Sequence, residues 1–308
     1  MHAVILAGGK GVRLRPYTTT LPKPLVPIGD EFSILEIVLH QLQSQGFTEV
    51  TLAIGHLGHL IRSFVGDGSR WGLQVRYLTE DTPLGTIGPM LRILDDLPEN
   101  VLVMNGDVLT DLPYAQLMAD HLLSGAPLTI ATYQREVHID FGVLDVDAGS
   151  VVGFREKPTL QYRVSMGVYG VHTPSLRRYE PGKPFGFDQL VLDLLAQDRP
   201  PASFEFSGYW LDIGRPDDYD RANLEFGRLR RHLLPEGTPS GATPDRTIVL
   251  PDGDEESRPA TESRLAESRP AAESRPAAES RPAESGPAED CRLAAGSRLD
   301  GTTSGALV

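Results

Sequence analysis

Leu6-Ala7-Gly8-Gly9-Lys10-Gly11-Val12-Arg13-Leu14-Arg15-Pro16, closed by Leu21-Pro22-Lys23-Pro24, is the stretch from which the fold is read. It follows a short apolar run, Ala3 to Leu6, which is β-branched and aliphatic without polar alternation and so reads as a buried parallel strand. A glycine-rich turn therefore sits at the carboxyl end of a strand. Glycines at 8, 9 and 11 let the backbone take positive φ and bring bare N–H groups against a ligand, while Lys10, Arg13 and Lys23 add positive charge. That is the chemistry of a polyphosphate cradle. No G-x-x-x-x-G-K-[ST] can be laid on it, and Leu14 stands where a dinucleotide fingerprint needs its third glycine. A nucleotide-dependent oxidoreductase is excluded on that ground.

Outward from the loop, strands alternate with helices. Ser33-Ile34-Leu35-Glu36 is a capping box that opens a helix running to Gln45, with Gly46 as its left-handed stop. Strands are expected over Glu49 to Ile54, Leu73 to Leu78, Val101 to Met104, Leu128 to Tyr133 and Ser165 to Tyr169. Helices are expected over Leu57 to Val65, Ile87 to Leu94, Pro113 to Ser124, Asp188 to Ala196 and Asp217 to Leu229, the last with Pro216 preset at its first turn. Val143 to Phe154 reads as an antiparallel hairpin. The fold class is α/β: a Rossmann-like mixed, mostly parallel sheet with helices on both faces and a small β insertion over the active site. Ligands in such a sheet lie beyond the carboxyl ends of the strands.

The run G-G-x-G-x-R-L-x-P followed by P-K-P closely resembles the signature of the sugar-1-phosphate nucleotidyltransferases, which join a nucleoside triphosphate to a sugar 1-phosphate and release pyrophosphate. Further segments match: Pro83-Leu84-Gly85-Thr86-Ile87-Gly88 resembles the P-L-G-T-x-G loop, Asn105-Gly106-Asp107 ends a strand where the family carries a metal-binding aspartate, and Trp210-Leu211-Asp212-Ile213-Gly214-Arg215-Pro216 resembles W-x-D-I-G-T-P. The resemblance implies that Arg13, Lys23 and Lys157 are catalytic. It implies that Leu6, Ala7, Gly8, Gly9, Gly11, Val12, Arg13, Lys23, Gly85 and Thr86 bind the nucleotide, and that Gly142, Glu156, Lys157 and Ser165 hold the sugar. Asp107 and Asp212 are the implied ligands of Mg2+, a hard cation served by one or two carboxylates with phosphate and water. This chain departs from the pattern at Val12 (threonine in the family), Ser165 (asparagine) and Arg215 (threonine).

The loop at Pro83 to Gly88 is most similar to that of the mannose-1-phosphate guanylyltransferases and related heptose enzymes, whereas thymidylyltransferases carry a glutamine-containing loop. GTP is therefore favoured over dTTP, ATP or UTP, and Ser165 leaves the acceptor open to a hexose, a heptose or a cyclitol phosphate. The alternative from another class is a catalytically silent regulatory homologue that binds nucleotide sugar. Such a protein is expected to lose charged residues that this chain keeps together: Arg13, Lys23, Asp107, Lys157 and Asp212.

Composition sets the remaining bounds. The net charge of −13 and a pI of about 5.1 disfavour nucleic acid and anionic membranes as partners, so the basic cluster around the glycine loop is a local site. Partners are then the nucleoside triphosphate and the sugar 1-phosphate, and a homo-oligomer is compatible with the family. A single cysteine, Cys291, rules out an intrachain disulfide framework and fits a reducing compartment; with no secretory signal and no long apolar run, the expected location is cytoplasmic. His56 and His59 lack acidic or cysteine partners nearby and read as a surface pair.

From Pro235 the composition changes. Glu-Ser-Arg-Pro-Ala recurs from Glu256, Glu267, Glu273 and Glu279, with a variant from Glu262, and no aromatic residue follows Phe226. Such a segment cannot bury enough apolar surface to offset its ordering entropy. The expected organisation is a catalytic domain over 1–235 and a disordered low-complexity tail over 236–308, without the aliphatic-and-glycine period of a hexapeptide β-helix.

Overall fold

A computed structural model describes residues 1–80 and 82–238; all but the first three residues of the expected tail lie outside the described residues. The seven strands of the central sheet, numbered in chain order, are β1 (His2–Ala7), β2 (Glu49–Ile54), β3 (Gln74–Thr79), β4 (Asn100–Asn105), β5 (Leu128–His138), β6 (Thr159–His172) and β7 (Ala202–Phe206). They lie side by side in the order β7-β5-β6-β4-β1-β2-β3. Only β6 runs against its neighbours, β4 and β5; the other pairings are parallel, as the buried, non-alternating strands require.

Period-two geometry splits each central strand between two layers. On β1, Ala3, Ile5 and Ala7 face one core and Val4 the other. The first core takes the apolar stripes of α1 (Ile34–Ser44), α2 (Gly58–Val65) and α3 (Tyr114–Ser124), and the second takes α4 (Phe187–Ala196). A third cluster joins α5 (Pro216–Leu233), through Phe226, Leu229 and Leu233, to Ile34 and Ile37 of α1. Helix α1 opens on the expected capping box: Ser33 N donates to Glu36 Oε2 at 2.8 Å and Glu36 N donates to Ser33 Oγ at 3.2 Å.

β1 sits between β2 and β4, so the chain leaves it in one direction and later returns on its other side. This is the topological switch point where an open α/β sheet forms its ligand crevice. Leu6 pairs with Asn105, which brings the glycine-rich loop and the Asn105-Gly106-Asp107 turn to the same edge.

Three elements differ from the sequence reading. The helix expected over Ile87 to Leu94 is a series of turns with one 3-10 turn, Met90–Arg92. The N–H groups of Ile87 and Gly88 both donate to Phe185 O, which ties the stretch to another loop, and the N–H groups of Met90, Arg92 and Ile93 donate to carbonyls three residues back, the tighter 3-10 pattern. Strand β5 continues to His138, and the strand expected at Ser165 to Tyr169 is the middle of the 14-residue β6, which bulges between these two residues. The extended ends of β5 and β6 carry the antiparallel hairpin Val143–Asp147 with Ser150–Arg155.

Candidate active site

The glycine loop is shaped by close approaches. His56 N donates to Gly8 O, and a Cβ on Gly8 would stand 3.0 Å from Glu80 Oε1. Gly11 has φ 58°, and its carbonyl accepts from Thr18 Oγ1 at 2.7 Å. The loop then turns through Val12–Leu14, with Leu14 buried and Val12 exposed. Leu6, Ala7, Gly9, Gly11, Val12 and Arg13 line a cleft that Lys23 and Asp107 close from the opposite side.

Lys23 starts a 3-10 turn between two prolines and is buried to 9% exposure. Its Nζ lies 2.5 Å from Asp107 Oδ2 and 3.9 Å from Asp212 Oδ1. The two acids meet because Trp210–Asp212 pairs antiparallel with Val108–Thr110, placing Asp212 opposite Val108, and because Ile213 N donates to Asp107 O. Burial, and next the charge of Asp107, raise the pKa of Asp212; Lys23 and Arg13 pull it back. Asp107 Oδ1 is buried and has no hydrogen-bond partner among the described residues. An unpartnered carboxylate oxygen beside a second carboxylate fits a hard divalent cation. Among the described residues no group of three or more His, Cys, Asp or Glu side chains could hold a metal ion, so such a cation would depend on phosphate and water for its other ligands.

A second cleft, of about 710 Å³, adjoins the first at Leu6, Gly9 and Asp107, and is lined by Glu80, Gly85, Thr86, Asn105 and His56. Gly85 has φ 77°, and a Cβ there would sit 2.7 Å from Phe185 O, so the turn admits only glycine without rearrangement. Thr86 Oγ1 accepts from Phe187 N and so helps to start α4. Glu80 follows β3 and accepts from Leu84 N, and burial raises its pKa above the usual glutamate value. Glu80 and Asn105 were not among the residues expected at the site, and His56, exposed as the surface reading has it, reaches the cleft's rim. The signal for Glu80 was its place at a strand's carboxyl end.

A third cavity, of about 410 Å³, shares Arg13 and Gly214 with the first cleft and carries Asp212 on its wall. Tyr133 and Trp210 line it with ring centroids 5.3 Å apart, and Trp210 Nε1 donates to Met166 O. Arg135 and Arg215 open onto it as well.

The residues expected to bind sugar fall into two places. Gly142 and Glu156 adjoin, since a Cβ on Gly142 would be 3.4 Å from Glu156 Oε2, and Lys157, at φ 42°, follows at the exposed base of the hairpin. Among the described residues no hydrogen bond or ion pair joins this group to the Lys23 cluster. Ser165 lies at the bulge of β6, where its Oγ donates to the Tyr169 hydroxyl and accepts from Gly167 N.

Comparison with known proteins places this architecture. The model of the nucleotidyl transferase family matches residues 2–228. Mannose-1-phosphate guanyltransferase of Schizosaccharomyces pombe is 33% identical over 245 residues, covering 75% of this chain and 66% of that protein. Mannose-1-phosphate guanylyltransferase catalytic subunit beta of Danio rerio is 31% identical over 252 residues, covering 78% and 69%. The matches thus span about two thirds of those relatives' own length. Among solved structures, HddC from Yersinia pseudotuberculosis complexed with GMP-PN superposes with a TM-score of 0.57 at 27% identity, over 73% of this chain and 99% of that one. A putative glucose-1-phosphate thymidylyltransferase from Bacillus anthracis shares the fold, with a TM-score of 0.59 at 22% identity over 73% and 94% of the chains.

Proposed function

Because the chain belongs to the sugar-1-phosphate nucleotidyltransferase family, we propose that it transfers a nucleoside monophosphate from GTP to a sugar 1-phosphate or a sugar-like cyclitol phosphate. The observation that carries this reading is the cluster of Lys23, Asp107 and Asp212 at the carboxyl edge of the sheet, where the three clefts meet.

In this reading an acceptor phosphate oxygen forms a bond to the α-phosphorus while the bond from that phosphorus to the β-phosphate oxygen breaks, and pyrophosphate leaves with the electron pair. The attacking oxygen is already anionic, so no side chain has to remove a proton. Catalysis is alignment and charge neutralisation. The N–H groups of the glycine loop and Arg13 hold the triphosphate and stabilise the departing pyrophosphate. Lys23 stands beside the reacting phosphate and offsets the repulsion between two anionic substrates, while Glu156 and Lys157 are assigned to the acceptor by their match to the family's motif. Mg2+ held by Asp107 and Asp212 would neutralise charge on the α-phosphate.

GTP is preferred because Glu80 lines the second cleft beside the Pro83 to Gly88 loop. Guanine offers two donors, N1–H and the N2 amino group, to a carboxylate, and no other common nucleobase presents that pair. The relatives named for guanylyl transfer, and the one complexed with GMP-PN, support the same base. The test is pyrophosphate release from four nucleoside triphosphates against a panel of sugar 1-phosphates. GTP should lead with whichever acceptor works; a lead for dTTP, ATP or UTP would overturn the base, and release with no combination would overturn the reaction.

A further inference from the structure

The third cavity has a charge balance that the transfer of a plain sugar 1-phosphate does not use. Four arginines line it, at 13, 135, 215 and 221, together with three carboxylates. Most of these charges are committed: Arg221 Nε donates to Glu225 Oε1 at 3.2 Å, Glu136 Oε1 accepts from Gln161 at 3.1 Å, and Asp218 Oδ2 accepts from Arg215 N at 3.1 Å as part of the cap of α5. Asp212 belongs to the Lys23 cluster and Arg13 to the triphosphate cleft. Among the described residues the guanidinium groups of Arg135 and Arg215 form no ion pair, and Arg215 is also the N-cap of the 18-residue α5, whose dipole adds to the positive field.

Loose arginines on a convex surface would be merely solvated. These two open instead onto a concavity whose wall holds the Tyr133–Trp210 aromatic pair and which continues through Arg13 and Gly214 into the triphosphate cleft. Aromatic faces suit the apolar face of a sugar or cyclitol ring, and a guanidinium suits a phosphate or carboxylate through paired hydrogen bonds. We propose that part of the acceptor extends into this cavity, and that Arg135 and Arg215 there receive a second anionic group, phosphate or carboxylate, carried on the ring away from the reacting 1-phosphate. The proposal rests on the transferase reading above and narrows its substrate class to doubly anionic acceptors.

The experiment compares three acceptors on the purified full-length chain with GTP and Mg2+: mannose 1-phosphate, mannose 1,6-bisphosphate and the 1-phosphate of the corresponding uronic acid. At least one of the last two should exceed mannose 1-phosphate by tenfold or more in kcat/KM, and which one does so separates phosphate from carboxylate. Arg215→Thr and Arg135→Gln should each remove that advantage while leaving the rate with mannose 1-phosphate in place. Equal rates for all three acceptors, or an advantage that survives both substitutions, would overturn the proposal. Calorimetric binding of the same compounds separates it from the reading beneath it. Tighter binding of a doubly anionic compound, lost in Arg215→Thr but without pyrophosphate release, supports the subsite and removes the transfer reaction. Turnover with equal affinities removes the subsite and leaves the reaction.

Discussion

Lys23 Nζ donates to Asp107 Oδ2 across 2.5 Å, leaving the other oxygen of the same carboxylate buried and unpartnered. The two oxygens of one carboxylate thus differ: one is held by a fixed cation, and the other is shielded from solvent with its hydrogen-bonding capacity unused. With its ammonium near both carboxylates, the lysine reduces the repulsion between the two acids.

Replacing Lys23 with methionine should therefore separate its structural role from that of a metal. Without divalent cations the variant should melt several degrees below the parent, since removing one partner of this half-buried group costs about 1–3 kcal/mol. Saturating Mg2+ should then raise its melting temperature by more than it raises the parent's, while turnover stays at least a hundredfold down. The absence of any Mg2+ response in both proteins would remove Asp107 and Asp212 as a cation site.

Asp107→Asn and Asp212→Asn should each lower turnover by orders of magnitude at ordinary Mg2+ concentration while the fold persists, because a neutral amide is a weaker ligand for a hard cation. Asp212 is half-exposed and should tolerate the change with little loss of stability. Near-normal turnover in either variant would take that residue out of the site.

Glu80→Gln tests the base. A glutamine cannot accept from both donors of guanine, so kcat/KM for GTP should fall about 10- to 100-fold, the value of one good bidentate base contact. Rates with ATP or UTP should change little. A uniform loss across all four nucleotides would mean that Glu80 supports the loop at Leu84 rather than reading the base.

How much of this was legible beforehand depended on whether local sequence or distant packing set each feature. The parallel sheet and the capped α1 were legible because a continuous apolar run and a Ser-x-x-Glu box carry their own physics. The stretch Ile87 to Leu94 misled because its apolar spacing suits a helix, while in the fold it is tied to Phe185, about a hundred residues away, and bonds three residues back rather than four. Lys23, Asp107 and Asp212 were singled out by motif, but the pairing of Asp212 opposite Val108 that unites them is tertiary and leaves no local mark. The same holds for the arginine-lined cavity, whose residues come from the glycine loop, β5, the strand Trp210–Asp212 and the start of α5.

The tail can be tested by truncation, and the fold dictates where to cut. Leu233 and Leu234 are buried and Gln41 Nε2 donates to Leu233 O, so a cut before them would disturb the third core cluster, while Thr238 still meets the domain through its carbonyl, which accepts from Arg230. Ended after Thr238, the protein should keep its melting temperature and turnover, because the segment beyond has too little apolar content to build a core. A marked loss of either would assign that segment a structural or regulatory part.

The last expectation concerns acid stability and turns on His121, which is 1% exposed on α3. Its Nδ1 lies 2.8 Å from Thr129 Oγ1, its Nε2 is buried without a partner, and a Cβ on Gly170 would press within 2.7 Å of the ring. Burial, with a smaller contribution from His172, lowers its pKa from 6.5 to about 4. The folded state therefore holds the ring neutral where the unfolded chain would take up a proton. Stability is fully present above about pH 6.5 and is lost as pH falls toward 4, by about 2 kcal/mol between pH 7.5 and 5. For a domain of this size that is about 4–8 °C in melting temperature. His121→Leu should be less stable at neutral pH, because Thr129 loses its partner, yet its melting temperature should fall less steeply on acidification. His2 and His40, whose pKa values burial also lowers, would keep some slope in the variant. Parallel melting curves for parent and variant from pH 7.5 to 5 would show that His121 does not set the acid limit.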